Sequence, residues 1–429
     1  MIRPMKEVRV MEEDRARGSI DRRAFIGMAA GVAAGVGLAR RARAQDRPLG
    51  VGFIGCGGRM NAHIGCVRQL MDEGLPLRMA AVCDVYRPRL NAAAETTGGK
   101  PYDDHAELLA DPDVDLVAIA SPDRHHCLQA IDAVRAGKDV FSEKPLSHWE
   151  QFDRVKELTK LVRETEAVLQ VGTQRVADSI WRQARELIAD GVIGKPLHAQ
   201  VGYFRQGDWG ERGMPIPDPN AKPGPDLDWE AFIGDAPMRE FDVSRFFRWR
   251  MYLDYAGGPP TDLYPHVYTP LAIALDLGMP MRVSGMGGKL FYNHEREVPD
   301  TVNILADYRE GVTVALLGTQ VNARPVETCI RGSEATMVFA GPGIQVFPAN
   351  GDATPTMEVA REAGGDTIDL WRDFIDCVAT REKPWSDVWT QYGVQTVVNM
   401  GMLSMFSGKT LHFDPDGERI VDAPPAGVA

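Results

Sequence analysis

No run of 18 uninterrupted apolar residues occurs in the 429-residue sequence, so no stretch reads as a helix spanning a bilayer. Cysteine is scarce, and no C-x-x-C pair occurs. Cys56, Cys66, Cys83, Cys127, Cys329 and Cys377 show no metal-ligand spacing either, so no metal site is expected and no disulfide pair is indicated. Four of the six fall in apolar or glycine-rich segments, where cysteine behaves as a small buried hydrophobe. Basic charge is also short: 48 Lys and Arg stand against 60 Asp and Glu. A net charge of −12 argues against a nucleic-acid partner, which needs basic surface to displace counterions. No internal repeat or low-complexity tract follows the leader described next. Apolar residues are plentiful, 44% of the chain, which suits two domains with cores of their own.

The first residues differ from the rest. "DRRAFIGMAAGVAAGVGLARRARAQ" places Arg22 and Arg23 before a mildly apolar stretch from Ala24 to Ala39, then a basic patch and A-R-A ending at Ala44. That is the order of an export signal. The Gly/Ala-rich apolar region and the paired arginines resemble a twin-arginine signal, whose pathway exports folded proteins. Asp21 stands where Ser or Thr is usual, and Gly27 where Lys is common. Residues 1–44 are therefore expected to be a leader, and the body, more acidic without it, to work in the periplasm or otherwise outside the cytoplasm.

From Leu49 onward, short apolar runs ("LGVGFI", "LRMAAVCD", "DLVAIAS", "DVFSE", "AVLQVG") alternate with helix-patterned segments such as "NAHIGCVRQLMDEG" and "DRHHCLQAIDAVRAGK". Strands apolar on both faces, each followed by a helix, predict parallel β-α-β units over 45–172. After Gly172 the texture changes. A Pro/Gly-rich loop over about 206–228 precedes "MRVSGMGGKLF", "TVNILADY", "VTVALLGTQ" and "ETCIRGSEATMVF", which come without intervening helices. The expectation for 173–429 is an α+β domain with a large, mostly antiparallel open sheet, closed by helices near 369–380 and 387–406.

"VGFIGCGGRM" ends the first strand with Gly55, Gly57 and Gly58, followed by Arg59 and Met60. In a dinucleotide-binding turn the first glycine makes the bend and the second admits the pyrophosphate, which meets the helix N-terminus. Met60 takes the place of the third small residue. Asp84 ends the second strand, where a carboxylate accepts ribose hydroxyls and repels a 2′-phosphate. NAD is thus expected, with NADP left open by Arg87 and Arg89; the other reading of Asp84 is a helix cap.

Three further stretches complete a pattern: "SPDRHH" with Ser121, Pro122 and His126; "EKP" with Glu143, Lys144 and Pro145; and "GGPPTDLYPHVYTP" with Asp262 and His266. Together with the glycine turn they resemble the Gfo/Idh/MocA oxidoreductases, named for glucose–fructose oxidoreductase, inositol dehydrogenase and a rhizopine-catabolism protein. The resemblance spans about 49–410, and Asp123 replaces the usual Asn of the second stretch. It implies that Lys144, Asp262 and His266 meet over the nicotinamide. His266 would take the proton of a sugar hydroxyl, Asp262 would orient or share it, and Lys144 would polarise the oxygen. It also implies packing into a dimer or tetramer through the open face of the second sheet.

The chemistry is consistent with the residue types, since imidazole is a base near neutrality and a fixed cation stabilises an alkoxide. Spacing i,i+4 would put Asp262 and His266 on one helical face. If Thr261 caps that helix, Pro265 lies just beyond the tolerant positions and Pro270 kinks it. Arg175, Tyr264, Trp209 and "RFFRWR" are further candidates for substrate contact. An exported enzyme of this kind would carry its cofactor from the cytoplasm and retain it. A redox-assisted glycosidase, working through a transient keto-sugar, and a nucleotide-binding sensor are the alternatives.

Overall fold

The computed structural model describes residues 47–207, 214–341, 343–362 and 364–425. The leader expected at 1–44 and the candidate Trp209 lie outside them. From Pro48 onward the chain forms one unit built on two sheets.

The first sheet holds β1 (Leu49–Ile54), β2 (Leu77–Cys83), β3 (Lys100–Tyr102), β4 (Leu116–Ile119), β5 (Asp139–Ser142) and β6 (Leu169–Val171). All pairs are parallel, in the order β3-β2-β1-β4-β5-β6. Alternation along each strand feeds two cores. Val51, Phe53, Val82, Leu116, Ala118 and Phe141 join one cluster; Ile54, Ala81, Cys83, Val117, Ile119 and Val140 join the other. The order turns back between β1 and β4, which opens a crevice at the carboxyl ends of the strands.

One face of this sheet is covered by the helix Gly58–Asp72 and by a helix from far along the chain, Thr367–Thr380. Trp371 of that late helix stacks on Phe141 of β5, ring centroids 4.7 Å apart and 8° from parallel. The C-terminal part of the chain thus returns to close the first core. Nothing in the local pattern of 367–380 names the sheet that it covers.

The second sheet has ten strands in the order β14-β13-β12-β11-β7-β10-β9-β8-β15-β16. They are β7 (Pro196–Phe204), β8 (Pro280–Gly288), β9 (Thr301–Tyr308), β10 (Thr313–Thr319), β11 (Thr328–Gly332), β12 (Ala335–Ala340), β13 (Gly343–Pro348), β14 (Met357–Ala360), β15 (Leu411–Asp414) and β16 (Arg419–Val421). Only β7 and β10 pair in parallel; the others are antiparallel. Helices Tyr264–Ala274 and Val388–Ser407 pack on one face. The other face leaves Met286 and Leu305 exposed.

The segment 214–256 is more than a loop. Two short helices, Trp229–Ile233 and Val243–Phe247, gather Trp229, Phe232, Phe246, Phe247, Trp249 and Tyr255 into a third apolar cluster around Tyr86. The aromatics of "RFFRWR" are thus buried in this cluster. All six cysteines are free thiols, five of them buried. Among the described residues no helix is long and apolar enough to cross a membrane.

Candidate active site

The glycine turn sits at the carboxyl end of β1. Gly55 has φ +84°, and a Cβ there would lie 2.6 Å from the Ser121 nitrogen, so only glycine fits. A Cβ on Gly57 or Gly58 would meet nothing within 4 Å. The helix Gly58–Asp72 begins with no side-chain cap and no acidic residue in its first turn. Its leading N–H groups and positive dipole end are thus left for an anion. A cavity of about 430 Å³ runs past this turn, with Gly55, Gly57, Asp84, Ser121 and Pro122 on one wall. Phe232, Phe246, Trp249 and Arg250 of the 214–256 segment form the other. These residues fit a dinucleotide, which would lay its pyrophosphate on Gly57, Gly58 and the helix N-terminus.

Asp84 lines that cavity and is not the cap of the helix Arg87–Thr97, whose N-cap is Tyr86. Its Oδ2 accepts the Cys56 N–H at 2.7 Å and its Oδ1 the Tyr86 N–H at 2.8 Å. Burial raises its pKa, opposed by Arg89 and those two bonds. Of the two arginines that left NADP open, Arg87 donates to Asp103 at 2.6 Å and to the Pro225 carbonyl at 3.2 Å. Arg89 sits 5.3 Å from the Phe247 ring centroid and 5.5 Å from that of Phe246. Met60 is fully buried in the sheet core and packs where a small third residue would sit; its side chain is not a cofactor contact.

The "EKP" carboxylate turns inward. Glu143 Oε1 receives Arg59 Nε at 2.7 Å and stands 3.0 Å from His63 Nε2. Trp371 Nε1 donates to His63 Nδ1 at 3.0 Å, which leaves the other ring nitrogen to carry the proton toward Glu143. Burial would raise the Glu143 pKa, but Arg59 and His63 together hold it well below the usual range. A Cβ on Gly172 would stand 2.7 Å from the Glu143 carboxylate, so that position too requires glycine. Arg59 and Glu143 therefore tie the glycine turn to the Lys144 loop. His63 and Trp371 complete the anchor; one histidine on a helix and one distant tryptophan carry no spacing that would pair them in sequence.

His126 is 1% exposed. Its Nδ1 lies 2.7 Å from the Pro145 carbonyl and its Nε2 2.8 Å from that of Ser121. Burial lowers its pKa to about 4, so the neutral ring donates one of these bonds at a time. It holds two loops in register and is not among the residues that line the dinucleotide cavity. Ser121 Oγ donates to Gln129 Oε1 at 2.7 Å.

Lys144 emerges beyond the end of β5, before a cis Pro145. Its Nζ donates to Asp262 Oδ1 at 2.8 Å and to the Asp262 main-chain oxygen at 2.7 Å. Arg250 Nε lies 3.5 Å from Asp262 Oδ1, and Arg205 Nη2 lies 3.9 Å from Oδ2. The segment bearing Asp262 is two helices rather than one: Pro259–Asp262, then Tyr264–Ala274 after a break at Leu263. Pro265 thus falls in the first turn of the second helix, where its missing N–H costs nothing, while Pro270 lies inside. Thr261 is not the cap; Gly258, at φ +69°, precedes the first piece.

His266 remains next to the pair despite the break. Its ring centroid is 6.4 Å from that of Tyr203, and Arg175 lies over the same Tyr203 ring at 5.8 Å. Among the described residues the imidazole makes no side-chain hydrogen bond. Burial, then the charge of Lys144, bring its pKa down to about 3 against the pull of Asp262. It is a neutral ring at neutral pH, able to accept a proton. Tyr264, by contrast, is fully buried and donates its hydroxyl to the Val302 carbonyl; it packs the sheet and does not face a substrate. Asp123, the departure from Asn, is 3% exposed, with Oδ2 unpartnered. Burial raises its pKa to about 7, resisted by Arg250 and Lys144.

Comparison with known proteins identifies the family and the fold. Residues 49–173 match the profile of the oxidoreductase family with an NAD-binding Rossmann fold, and 178–428 match that family's C-terminal alpha/beta domain. Inositol 2-dehydrogenase 2 of Saccharopolyspora erythraea is 36% identical over 162 residues, 36% of this chain and 46% of that protein. Myo-inositol 2-dehydrogenase of Thermotoga maritima is 34% identical over 148 residues, 34% of this chain and 42% of that one. These matches thus span less than half the length of either relative.

Among solved structures, a WlbA dehydrogenase from Bordetella pertussis in complex with NADH and UDP-GlcNAcA has a TM-score of 0.65 at 20% identity, over 86% of this chain and 98% of that one. A levoglucosan dehydrogenase in complex with NADH and levoglucosan has a TM-score of 0.62 at 19% identity, over 88% and 100%. At those identities the likeness is one of fold. The family profiles cover both sheets and the loops that bear Lys144, Asp262 and His266, and the chain belongs to the Gfo/Idh/MocA oxidoreductase family, with an N-terminal NAD-binding Rossmann domain.

Proposed function

We infer that the protein is an exported oxidoreductase that moves a hydride between a tightly held NAD and a secondary hydroxyl or keto group of a sugar, glycoside or polyol. The observation that carries this reading is the Lys144–Asp262 ion pair at 2.8 Å, set beside a neutral His266. NAD supplies the hydride acceptor. His266 accepts the hydroxyl proton as the C–H bond breaks. Lys144 donates to the substrate oxygen as negative charge develops on it. Asp262 holds the ammonium in place and offsets the charge that His266 acquires. An imidazole of pKa about 3 is a weak base in the free protein. It strengthens once the Lys144 charge is engaged by the substrate oxygen.

The inositol dehydrogenases among the relatives and the levoglucosan dehydrogenase among the fold neighbours favour carbohydrate substrates. Retention of the cofactor is supported by the 214–256 segment, which walls the groove with Phe232, Phe246 and Trp249. Export rests on the paired arginines and the A-R-A site of the leader. A dimer or tetramer through the open sheet face is supported by exposed Met286 and Leu305.

The test is a carbohydrate panel with the purified protein, following reduction of its nicotinamide by absorbance and identifying products by mass. A keto product with reduced cofactor supports the reading. Release of a free aglycone with no net redox change would select the redox-assisted glycosidase instead.

A further inference from the structure

A line of short contacts runs from the C-terminal part of the chain to the reaction pair, through groups that hydride transfer does not itself require. Trp371 Nε1 donates to His63 Nδ1 at 3.0 Å. His63 Nε2 stands 3.0 Å from Glu143 Oε1. Glu143 Oε2 accepts the main-chain N–H of Lys144 at 3.3 Å, and Lys144 Nζ reaches Asp262 Oδ1 at 2.8 Å. Glu143 Oε1 also receives Arg59 Nε at 2.7 Å and Gln174 Nε2 at 3.4 Å. The carboxylate is thus a hub, and its other oxygen holds the backbone from which the lysine side chain departs. The late helix Thr367–Thr380 touches this hub a second time, since Arg59 Nη2 donates to Thr367 Oγ1 at 3.3 Å.

Packing alone does not account for His63 and Trp371. Both are fully buried, and neither lines the dinucleotide cavity. Trp371 stacks on Phe141 at 4.7 Å, and the His63 ring meets Phe141 edge-on at 5.1 Å. Phe141 lies two residues before Glu143, so both rings seat on the end of β5. Apolar side chains of similar size would fill that space with no polar group to satisfy. A buried imidazole is unfavourable unless its nitrogens are paired. Here both are paired, one as acceptor and one as donor. Protonating Nδ1 would set two N–H groups against each other, and burial already lowers the His63 pKa against the pull of Glu143. The ring therefore stays neutral and donates to Glu143, while Arg59 supplies the balancing charge.

We propose that His63, held by Trp371, is a positioning residue for Lys144: through Glu143 it fixes the main chain that carries the reactive ammonium. The helix Thr367–Thr380, none of whose residues lines the cofactor cavity, thereby becomes part of the reaction machinery. Without the His63 donor the Glu143 carboxylate is free to swing toward Arg59, and the Lys144 N–H loses its acceptor. A displacement of about 1 Å at a reacting group can cost about 100-fold in rate. This proposal rests on the reading of Lys144 as the group that polarises the substrate oxygen.

The test uses the full chain with NADH bound and three variants. Trp371→Phe keeps a ring on Phe141 but removes the donor, and His63→Leu removes both nitrogens. His63→Gln offers one acceptor and one donor in place of the imidazole pair. Hydrogen exchange at the Lys144 amide, read by mass spectrometry and referred to the amides of β1, needs no turnover. Its failure is therefore separable from failure of the oxidoreductase reading. Exchange there should be about tenfold faster in Trp371→Phe and His63→Leu, as expected for loss of a buried acceptor, and near wild type in His63→Gln. With a carbohydrate that the panel shows to be oxidised, kcat should fall about 10- to 100-fold in the first two variants. KM and NADH affinity should change far less, and His63→Gln should recover most of the loss. Lower melting temperatures with unchanged Lys144 exchange, or full kcat in folded Trp371→Phe and His63→Leu, would overturn the proposal and leave the two residues as core packing.

Discussion

Lys144 and Asp262 meet across the two sheets: the ammonium that follows β5 donates to the aspartate at 2.8 Å through its side chain and at 2.7 Å through its main chain. This double contact fixes where the cation sits before any substrate arrives. Lys144→Met keeps the stem and removes the charge. It should lower kcat by about 100- to 1,000-fold, the usual cost of losing one donor to a developing oxyanion. Dinucleotide binding should survive, because the glycine turn is untouched. Steady-state kinetics together with a binding titration checks both.

His266→Asn should lower kcat by about 100- to 10,000-fold, as expected for loss of a general base. The wild-type profile is the sharper test. Burial and Lys144 hold the His266 pKa at about 3, so the ring stays neutral down to about pH 5. Acidification over that range should produce no histidine limb in kcat/KM. A limb near pH 7 belongs instead to Asp123, whose pKa burial raises to about 7, and should vanish in Asp123→Asn.

The same aspartate predicts a stability effect. Its pKa is raised from the ordinary value of 3.8, so the folded chain keeps a proton that the unfolded chain releases above about pH 4. Unfolding free energy should therefore fall as pH rises from about 4 to 7, then level off. Asp123→Asn removes that fall. The variant should match wild type at about pH 4 and melt higher at pH 8, by roughly 2–4 °C for each kcal/mol recovered. Melting curves at the two pH values decide it.

How much of this was legible in the sequence depends on distance along the chain. The alternating strands and helices of 49–171 announce a parallel sheet because each unit carries its own periodicity, and the glycine turn announces its ligand because the bend itself requires Gly55. Lys144, Asp262 and His266 are read from short patterns, though not the break at Leu263 that lets Pro265 sit harmlessly. The contacts of His63, Trp371, Tyr203 and Arg205 were hidden, since each joins residues that only the fold brings together. Tyr264 misled for the same reason: its place beside Asp262 in sequence says nothing of the Val302 carbonyl that it meets.

The cap over the groove makes a kinetic prediction. Tyr86, next to the Asp84 wall, packs edge-on against Phe246 and Phe247 at 5.5 and 5.6 Å. Backbone bonds from Arg87 to Asp226 at 2.9 Å and from Asp228 to Val85 at 3.0 Å clamp the segment down. Protein purified without added nucleotide should carry NAD, released on denaturation. Phe246→Ala should accelerate its dissociation at least about tenfold, given a truncation cost of about 3 kcal/mol or more for a buried phenylalanine. Displacement of the bound nucleotide by excess labelled NAD measures the rate.

The most direct test of hydride transfer between a carbohydrate carbon and NAD is isotopic. A substrate found in the panel would be deuterated at the reacting carbon and mixed with the NAD-loaded protein in a single turnover. Mass spectrometry of the recovered cofactor should show one deuterium on the nicotinamide ring, and the transfer should be slowed by about 100-fold or more in Lys144→Met. A cofactor that stays oxidised and unlabelled while the carbohydrate is converted would contradict the account.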